Sequence, residues 1–153
     1  MATWNTFQTR LEGIDKTIAA AKELERRIKR GGMRTALNKA TTPTLQKARR
    51  LAPRESGLLR KSLKKKVTTN TREDTVTVII GSDKSVSGTF KGEKRTPARY
   101  AHLVEMGHGG PHSAAPHPFL RPAWESTKIE VQRIYKAELK GAIEKRTARL
   151  AKR

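Results

Sequence analysis

The stretch "KVTTNTREDTVTVIIG", Lys66–Gly81, decides the fold class, because the hydrophobic period changes here from helical to alternating. Within residues 75–80, the apolar Val76, Val78 and Ile80 alternate with Thr75, Thr77 and Ile79, as the two faces of a half-buried strand do. Residues 67–69 supply an antiparallel partner, and the polar residues 70–74 supply the turn between the two. The stretch therefore predicts a β-hairpin over about residues 64–81.

Helical periodicity before this hairpin predicts two further elements. A first amphipathic helix ends at Gly31-Gly32, because paired glycines commonly terminate a helix. A second helix follows and is kinked at Pro43, which removes a backbone donor. The apolar face of the first helix is predicted to comprise Trp4, Phe7, Leu11, Ile14, Ile18, Ala21 and Ile28.

The remaining pattern predicts a short helix with Ser56 as its N-cap, another over Tyr100–Met106, and a long C-terminal helix beginning near Pro122. Residues 86–95 offer a third strand within an extended loop or arm over residues 82–97. The predicted fold class is α+β: a small antiparallel sheet packed with an N-terminal helix, a kinked second helix and a long C-terminal helix. We expect the 153 residues to form a single domain with a basic C-terminal tail.

The formal net charge of +20 is extreme for this length, and it is uneven. From Arg26 to Lys66 there are fifteen lysines and arginines and one acidic residue. A field of this sign attracts nucleic acids or acidic protein surfaces. The basic surface is predicted to comprise Arg26, Arg27, Lys29, Arg30, Arg49, Arg50, Arg60, Lys61, Lys64, Lys65 and Lys66.

The four histidines lie close together in the sequence, but their spacing does not support a metal site. They are His102, His108, His112 and His117. His102 and Glu105 form an i, i+3 pair that could share a zinc ion, whereas the helix motif with two histidines flanking a glutamate is absent. The chain has no cysteine, no serine nucleophile elbow and no phosphate-binding glycine loop. The sequence therefore predicts no catalytic residue, no cofactor and no metal, with a histidine-based metalloenzyme as the least favoured hypothesis.

Two motifs carry a family resemblance. The first, A-P-x-x-[ST]-G-x-L-[RK]-x-S, spans Ala52–Ser62, and its turn residues are Pro53, Ser56, Gly57, Leu59 and Arg60. The second, Y-A-x-x-V-E-x-G followed by P-x-P-F-[LM]-x-P-A, spans Tyr100–Gly107 and Pro116–Ala123. In this order and at this separation, the motifs resemble the small tail-component (neck or tail-completion) proteins of long-tailed bacteriophages, the family typified by phage HK97.

The resemblance implies a virion protein at the head–tail junction or the upper end of the tail, needed for tail completion or head–tail joining. It implies a homo-oligomeric ring, with six copies favoured and twelve as the alternative, next to the stopper or adaptor, the tail terminator and the tail tube. Assembly would take place in the host cytoplasm, and no membrane partner is expected. A basic inner wall would face packaged DNA through non-specific contacts, or an acidic ring. The alternative function is general nucleic-acid binding without sequence readout.

The second motif also suggests an interface. Phe119 and Leu120 lie between prolines that stiffen the chain and reduce the entropy lost on docking. Core packing of the same two residues is the competing interpretation, since large apolar side chains are usually buried. The connector before them is expected to be a flexible hinge. The subunit or partner interface is predicted to comprise Tyr100, Val104, Glu105, Gly107, Pro118, Phe119, Leu120, Arg121 and Pro122.

Overall fold

A computed structural model describes residues 14–111 and 113–151. The predicted apolar residues Trp4, Phe7 and Leu11, and the last two residues of the basic tail, lie outside the described residues. The helices are α1 Ile14–Ala40, α2 Thr42–Leu51, α3 Leu58–Ser62, α4 Pro97–Met106 and α5 Leu120–Ala151. The strands are β1 Leu63–Asn70, β2 Thr75–Ser82, β3 Gly88–Phe90 and β4 Glu93–Arg95.

The two long helices, α1 and α5, pack against each other through small residues. Gly32, Ala36 and Ala40 are buried at intervals of four along α1, so they form one stripe that lets α5 approach closely. The prediction that Gly31-Gly32 ends the first helix is wrong, because the energy of this packing outweighs the low helix propensity of glycine. Among the described helices, none is long and apolar enough to cross a membrane.

The bend predicted in the second helical segment lies at Thr41, which separates α1 from α2. The backbone N–H and the hydroxyl of Thr41 both donate to the carbonyl of Leu37, at 3.1 and 2.8 Å. Pro43 falls in the first turn of α2, where its missing N–H costs no helical hydrogen bond. The bend is therefore confirmed, two residues before the proline that was expected to cause it.

The hairpin that decided the fold class is confirmed. β1 and β2 are antiparallel, with Val67 opposite Val78 and the half-buried side chains of both strands on one face. Residues 86–95 do not extend this sheet, since β3 and β4 pair with each other as a separate small hairpin. A Cβ added at Gly88 would collide with Leu58, so this second hairpin rests on α3 at its base. The fold is α+β, with two small antiparallel sheets.

The core lies where α2, α3, β1 and the start of α5 meet. Its buried members are Leu45, Ala48, Ala52, Leu59, Leu63, Phe119 and Ala123. Phe119 is among the largest fully buried side chains. A buried polar link joins α2 to α5: the hydroxyl of Thr44 lies 2.7 Å from that of Thr127, which donates to the carbonyl of Ala123 at 2.7 Å. The hydroxyl proton of Thr127 is thus committed, so Thr44 donates to Thr127.

Replacing Gly32 with alanine should raise the stability of the protein. A Cβ at this position would lie 3.6 Å from Leu139 Cδ1 and 3.7 Å from Ala142 Cβ, which are ordinary van der Waals distances. Alanine also avoids the backbone entropy cost of glycine inside a helix, so we expect a gain of about 0.5–1 kcal/mol. Chemical denaturation of Gly32→Ala and of the unmodified protein measures the difference. A loss of stability would show that α5 lies closer to α1 than described.

Candidate functional site

The carboxylate of Glu105, in the last turn of α4, caps the N-terminus of α5. Its Oε2 accepts the backbone N–H groups of Phe119 and Leu120 at 2.8 and 2.9 Å. Its Oε1 accepts the N–H of Arg121 at 2.9 Å. The first N–H groups of a helix lack intrahelical partners and form the positive end of its dipole. A carboxylate here accepts their hydrogen bonds and also places a negative charge next to that positive end. Glu105 therefore fixes where α5 starts and how it meets α4.

The pKa of Glu105 reports the same contacts. Burial by itself raises this pKa, but the backbone N–H groups of Leu120, Phe119 and Arg121 and the charge of Arg121 together outweigh it. The net result is a pKa below the usual value of a glutamate. Glu105 is therefore ionised near neutral pH, in the state that can accept all three hydrogen bonds.

A residue of the first motif caps the C-terminus of α2. The guanidinium group of Arg60, on α3, donates to the carbonyls of Arg49 and Arg50 in the last turn of α2. Arg49 in turn donates to the carbonyl of Leu63, with its Nη2 at 2.7 Å. Cations near the C-terminus of a helix satisfy its last carbonyls and complement its dipole. The basic residues Arg49 and Arg60 are thus part of the scaffold.

The turn of the first motif depends on Gly57, which is the N-cap of α3 at φ 67°. This left-handed conformation favours glycine. Ser56, which was predicted to be the N-cap, lies one residue earlier. Its hydroxyl still accepts the N–H of Leu58 at 3.3 Å. The predicted N-cap is therefore displaced by one residue, and Ser56 supports the same helix start.

The two motifs meet at the end of α2. The backbone N–H of His117 donates to the carbonyl of Val104 at 2.8 Å, and its imidazole Nε2 donates to the carbonyl of Leu51 at 3.3 Å. Phe119, two residues later, is 0% exposed and belongs to the same core cluster as Leu59. Residues of the two motifs, which are far apart in the sequence, therefore pack together around Phe119.

The connector between α4 and α5 has defined backbone partners, in contrast to the flexible hinge that was expected. Gly107 ends α4 at φ 73°, and a Cβ there would lie 2.8 Å from the backbone N of Pro116. His108 and Ala114 exchange backbone hydrogen bonds of 3.1 and 3.0 Å. Glycine is required at position 107 both for its conformation and for this close approach.

The residues predicted to form an interface differ widely in exposure. Glu105 and Gly107 serve the backbone contacts above, and Phe119 is buried inside its own chain. Pro118 and Arg121 are exposed. Tyr100, Val104, Leu120 and Pro122 are half-buried, as are Glu105 and Gly107, and the first three of these pack against the core. An interface role for the exposed and half-buried members stays a prediction.

Several residues of the predicted basic surface hold the fold together. Lys64 lies 2.7 Å from the carboxylate of Asp83, and this hydrogen bond, together with those from the backbone N–H and hydroxyl of Ser85, lowers the pKa of Asp83 to about 2. Lys65 donates to the carbonyl of Asn38 and to the hydroxyl of Thr42, and burial lowers its pKa. The exposed members are Arg26, Arg27, Lys29, Arg49, Arg50, Lys61, Lys64 and Lys66.

One cleft lies between α1 and the tip of the β1–β2 hairpin, and we call it the arginine cleft. It has a volume of about 490 Å³ and is lined by Arg27, Arg30, Gly31, Arg34, Thr69 and Thr71. The side chain of Arg30 is only 11% exposed and lies 3.5 Å from the carboxylate of Asp74. Arg27 and Arg34 are exposed about one turn to either side of it. The cleft presents guanidinium groups and hydroxyls, which are suited to phosphate.

A second cleft, the α4 cleft, was not anticipated from the sequence. It has a volume of about 430 Å³ and is lined by Lys94, Arg95, Thr96, Arg99, Tyr100, Leu103, Val104, His108 and Ala114. Its rim is basic and its floor is apolar. Only Tyr100 and Val104 had been predicted to belong to an interface. The run of basic residues just before α4 was the available signal, but it had been assigned to an extended arm.

The described histidines do not gather into one cluster with acidic side chains. Among the described residues, no three histidine, aspartate or glutamate side chains lie close enough together to hold a metal ion. His102 is exposed, His108 lines the α4 cleft and His117 contacts α2. His112 lies outside the described residues.

Substitution of Glu105 should destabilise the protein strongly. Glu105→Gln replaces one acceptor oxygen with an NH₂ group that faces backbone donors, so we expect a loss of about 2 kcal/mol at pH 7. Glu125→Gln is a matched control, because Glu125 lies on α5, is exposed, and forms a salt bridge with a neighbouring side chain, Lys128, instead of accepting backbone N–H groups. Denaturation curves of the two variants should differ clearly. Equal stability would contradict the capping role of Glu105.

The cost of losing Glu105 should also depend on pH. Its pKa is lowered in the folded state, so its contribution is fully present above the pKa of an unfolded glutamate, about 4.3. The contribution is lost as the pH falls through the lower, folded-state pKa. The stability difference between the unmodified protein and Glu105→Gln should therefore shrink below about pH 4, as denaturant titrations at several pH values would show. A difference that stays constant with pH would exclude an ionised cap.

Comparison with known protein families supports the sequence resemblance. Residues 15–107, more than half of the chain, match the family model HK97-gp10_like, described as "Bacteriophage HK97-gp10, putative tail-component". The match contains the first motif and the Tyr100–Gly107 half of the second. Comparisons with curated proteins and with solved structures each gave no significant match. This chain belongs to the HK97-gp10-like family of bacteriophage tail components.

Proposed function

We propose that this protein is a non-enzymatic structural subunit that joins neighbouring proteins at the neck or the upper end of a phage tail. The proposal rests on what the motif side chains do in the part of the chain that matches the family: they bind backbone groups of the same chain. Arg60 and Glu105 are both engaged as helix caps. Each of the two motifs thus uses a charged side chain to hold the end of a helix, which supports a structural role.

The assembled form that we propose is a homo-oligomeric ring, with six copies favoured and twelve as the alternative. Its neighbours would be the stopper or adaptor, the tail terminator and the tail tube. The charge of +20 on every copy supports a requirement for anionic neighbours, because copies held side by side repel one another unless a partner offsets the charge. The ring would assemble in the host cytoplasm and remain in the virion.

Purified virions and a phage lacking this gene test the proposal. Quantitative mass spectrometry should find the protein in a small multiple of six copies per particle. Deletion of the gene should give heads and tails that fail to join, or tails that stay incomplete, as seen by electron microscopy. A protein that is abundant in infected cells but missing from mature particles would contradict the proposal.

Non-specific DNA contact is a second candidate function, favoured by the arginine cleft. The exposed side chains of Arg27 and Arg34 are spaced about 10 Å along α1, on either side of the anchored Arg30. Guanidinium groups in a row can contact successive phosphates, and such binding needs no base readout. The same contacts could serve a ring through which DNA passes.

Duplex DNA binding at several salt concentrations separates this function from general charge attraction. Replacing Arg27 and Arg34 with alanine should weaken binding and lower the slope of log affinity against log salt by about 2. Replacing the exposed Arg133 and Lys136 of α5 removes the same charge elsewhere and is the control. The same loss from both pairs would show that DNA is attracted by total charge alone.

A further inference from the structure

We propose that the α4 cleft binds an acidic segment of a neighbouring tail protein, one that carries an apolar side chain between carboxylates. The inference rests on the proposed function, because it names the kind of partner that the subunit would join. The cleft lies between β4, α4 and the connector, and thus on elements fixed by Gly107 and Glu105. A site built on anchored elements loses little entropy when a partner binds.

The rim of the cleft is positively charged. Lys94, Arg95 and Arg99 contribute three cations, and among the described lining residues none is acidic. Arg95 is held in place by the ring of Phe90, whose centre lies 5.2 Å from its guanidinium group, and by the carboxylate of Glu93 at 3.5 Å, which offsets part of its charge. Lys94 and Arg99 are exposed on either side of Arg95 in the sequence. Cations around a concave surface favour carboxylates and steer an acidic partner towards it.

The floor of the cleft distinguishes a peptide from a nucleic acid. Tyr100, Leu103 and Val104 form an aromatic and aliphatic floor. A phosphate backbone would satisfy the rim and leave this floor in contact with water, whereas an apolar side chain between two carboxylates would cover both. The volume of about 430 Å³ is within the range of sites that enclose small ligands and side chains. The arginine cleft, with its guanidinium groups and hydroxyls, is the more suitable phosphate site.

The charge balance also favours a different protein over a second copy of this chain. Each copy carries a net charge of +20, so a second copy approaching this basic rim is repelled at long range. An acidic segment of another subunit is attracted and would offset part of the charge of the ring. The occupant is therefore an acidic segment from a different protein of the particle.

A labelled peptide serves as the probe. It has blocked ends and a central Phe-Leu pair between glutamates and aspartates, and its binding is followed by fluorescence anisotropy at low and moderate salt. A second peptide has glutamine and asparagine in place of the acids, and a third has Ala-Ala in place of Phe-Leu. We expect the first peptide to bind at least about tenfold more tightly than either of the others, because each control lacks one half of the recognition.

Matched variants locate the binding. Lys94→Ala with Arg99→Ala should weaken binding of the first peptide about tenfold, and Leu103→Ala should weaken it about threefold. Arg133→Ala with Lys136→Ala removes the same charge from an exposed part of α5 and should change the affinity by less than about twofold. Circular dichroism melts of each variant show that it is folded before its affinity is compared.

Three results would overturn the inference. Equal losses from the two charge pairs would mean attraction by total charge. Equal binding of the Ala-Ala peptide would mean that the apolar floor takes no part. Self-association of the chain that is abolished by Lys94→Ala with Arg99→Ala would identify a second copy as the occupant. None of these results bears on the copy number of the protein in virions, so this inference and the proposed function can fail separately.

Discussion

The three hydrogen bonds from the start of α5 to the carboxylate of Glu105 are the interaction on which the rest of the structure depends. They set the position at which α5 begins, and α5 is the helix against which both α1 and α2 pack. They also place Phe119 in the core and give the connector a fixed end. A charged group is well suited to this task, because the N–H groups of a helix terminus attract negative charge more strongly than a neutral acceptor. Loss of this one side chain would therefore loosen contacts that it does not itself touch.

The basic residues divide into two classes that charge alone does not separate. Arg49, Arg60 and Lys65 donate to carbonyl groups and stabilise the ends and junctions of helices. Residues such as Arg34 and Arg99 project into clefts. Part of the run of lysines and arginines from Arg26 to Lys66 is therefore engaged in contacts within the chain. Two clefts also bring cations together, one suited to phosphate and another with an apolar floor.

The sequence was informative where structure is local, and less so where it depends on distant partners. The alternation of residues 75–80 predicted the β1–β2 hairpin, because the period of a strand is visible in the strand itself. The continuation of α1 through Gly32 was missed, because the packing against Leu139 and Ala142 that favours it comes from the other end of the chain. Glu105 was selected by its motif, but no local pattern shows that it caps a helix beginning after a long connector. The basic residues before α4 gave a local signal for the α4 cleft, but the cleft itself was missed, since its rim and floor meet only once β4 and α4 have packed.

The dependence of the core on α5 has a consequence for the order of folding. The pocket around Leu59 stays open until the last helix arrives, since Phe119 and Ala123 close it. The stripe of Ala36 and Ala40 likewise waits for α5 to pack against α1. The β1–β2 hairpin and the α2–α3 turn use contacts between near neighbours and can form early, while the closing contacts join segments far apart in the chain. On the ribosome, the nascent chain would therefore hold its local elements without a sealed interior until α5 has emerged. The rigid subunit, and any surface that it offers to a neighbour, would be completed in this last step.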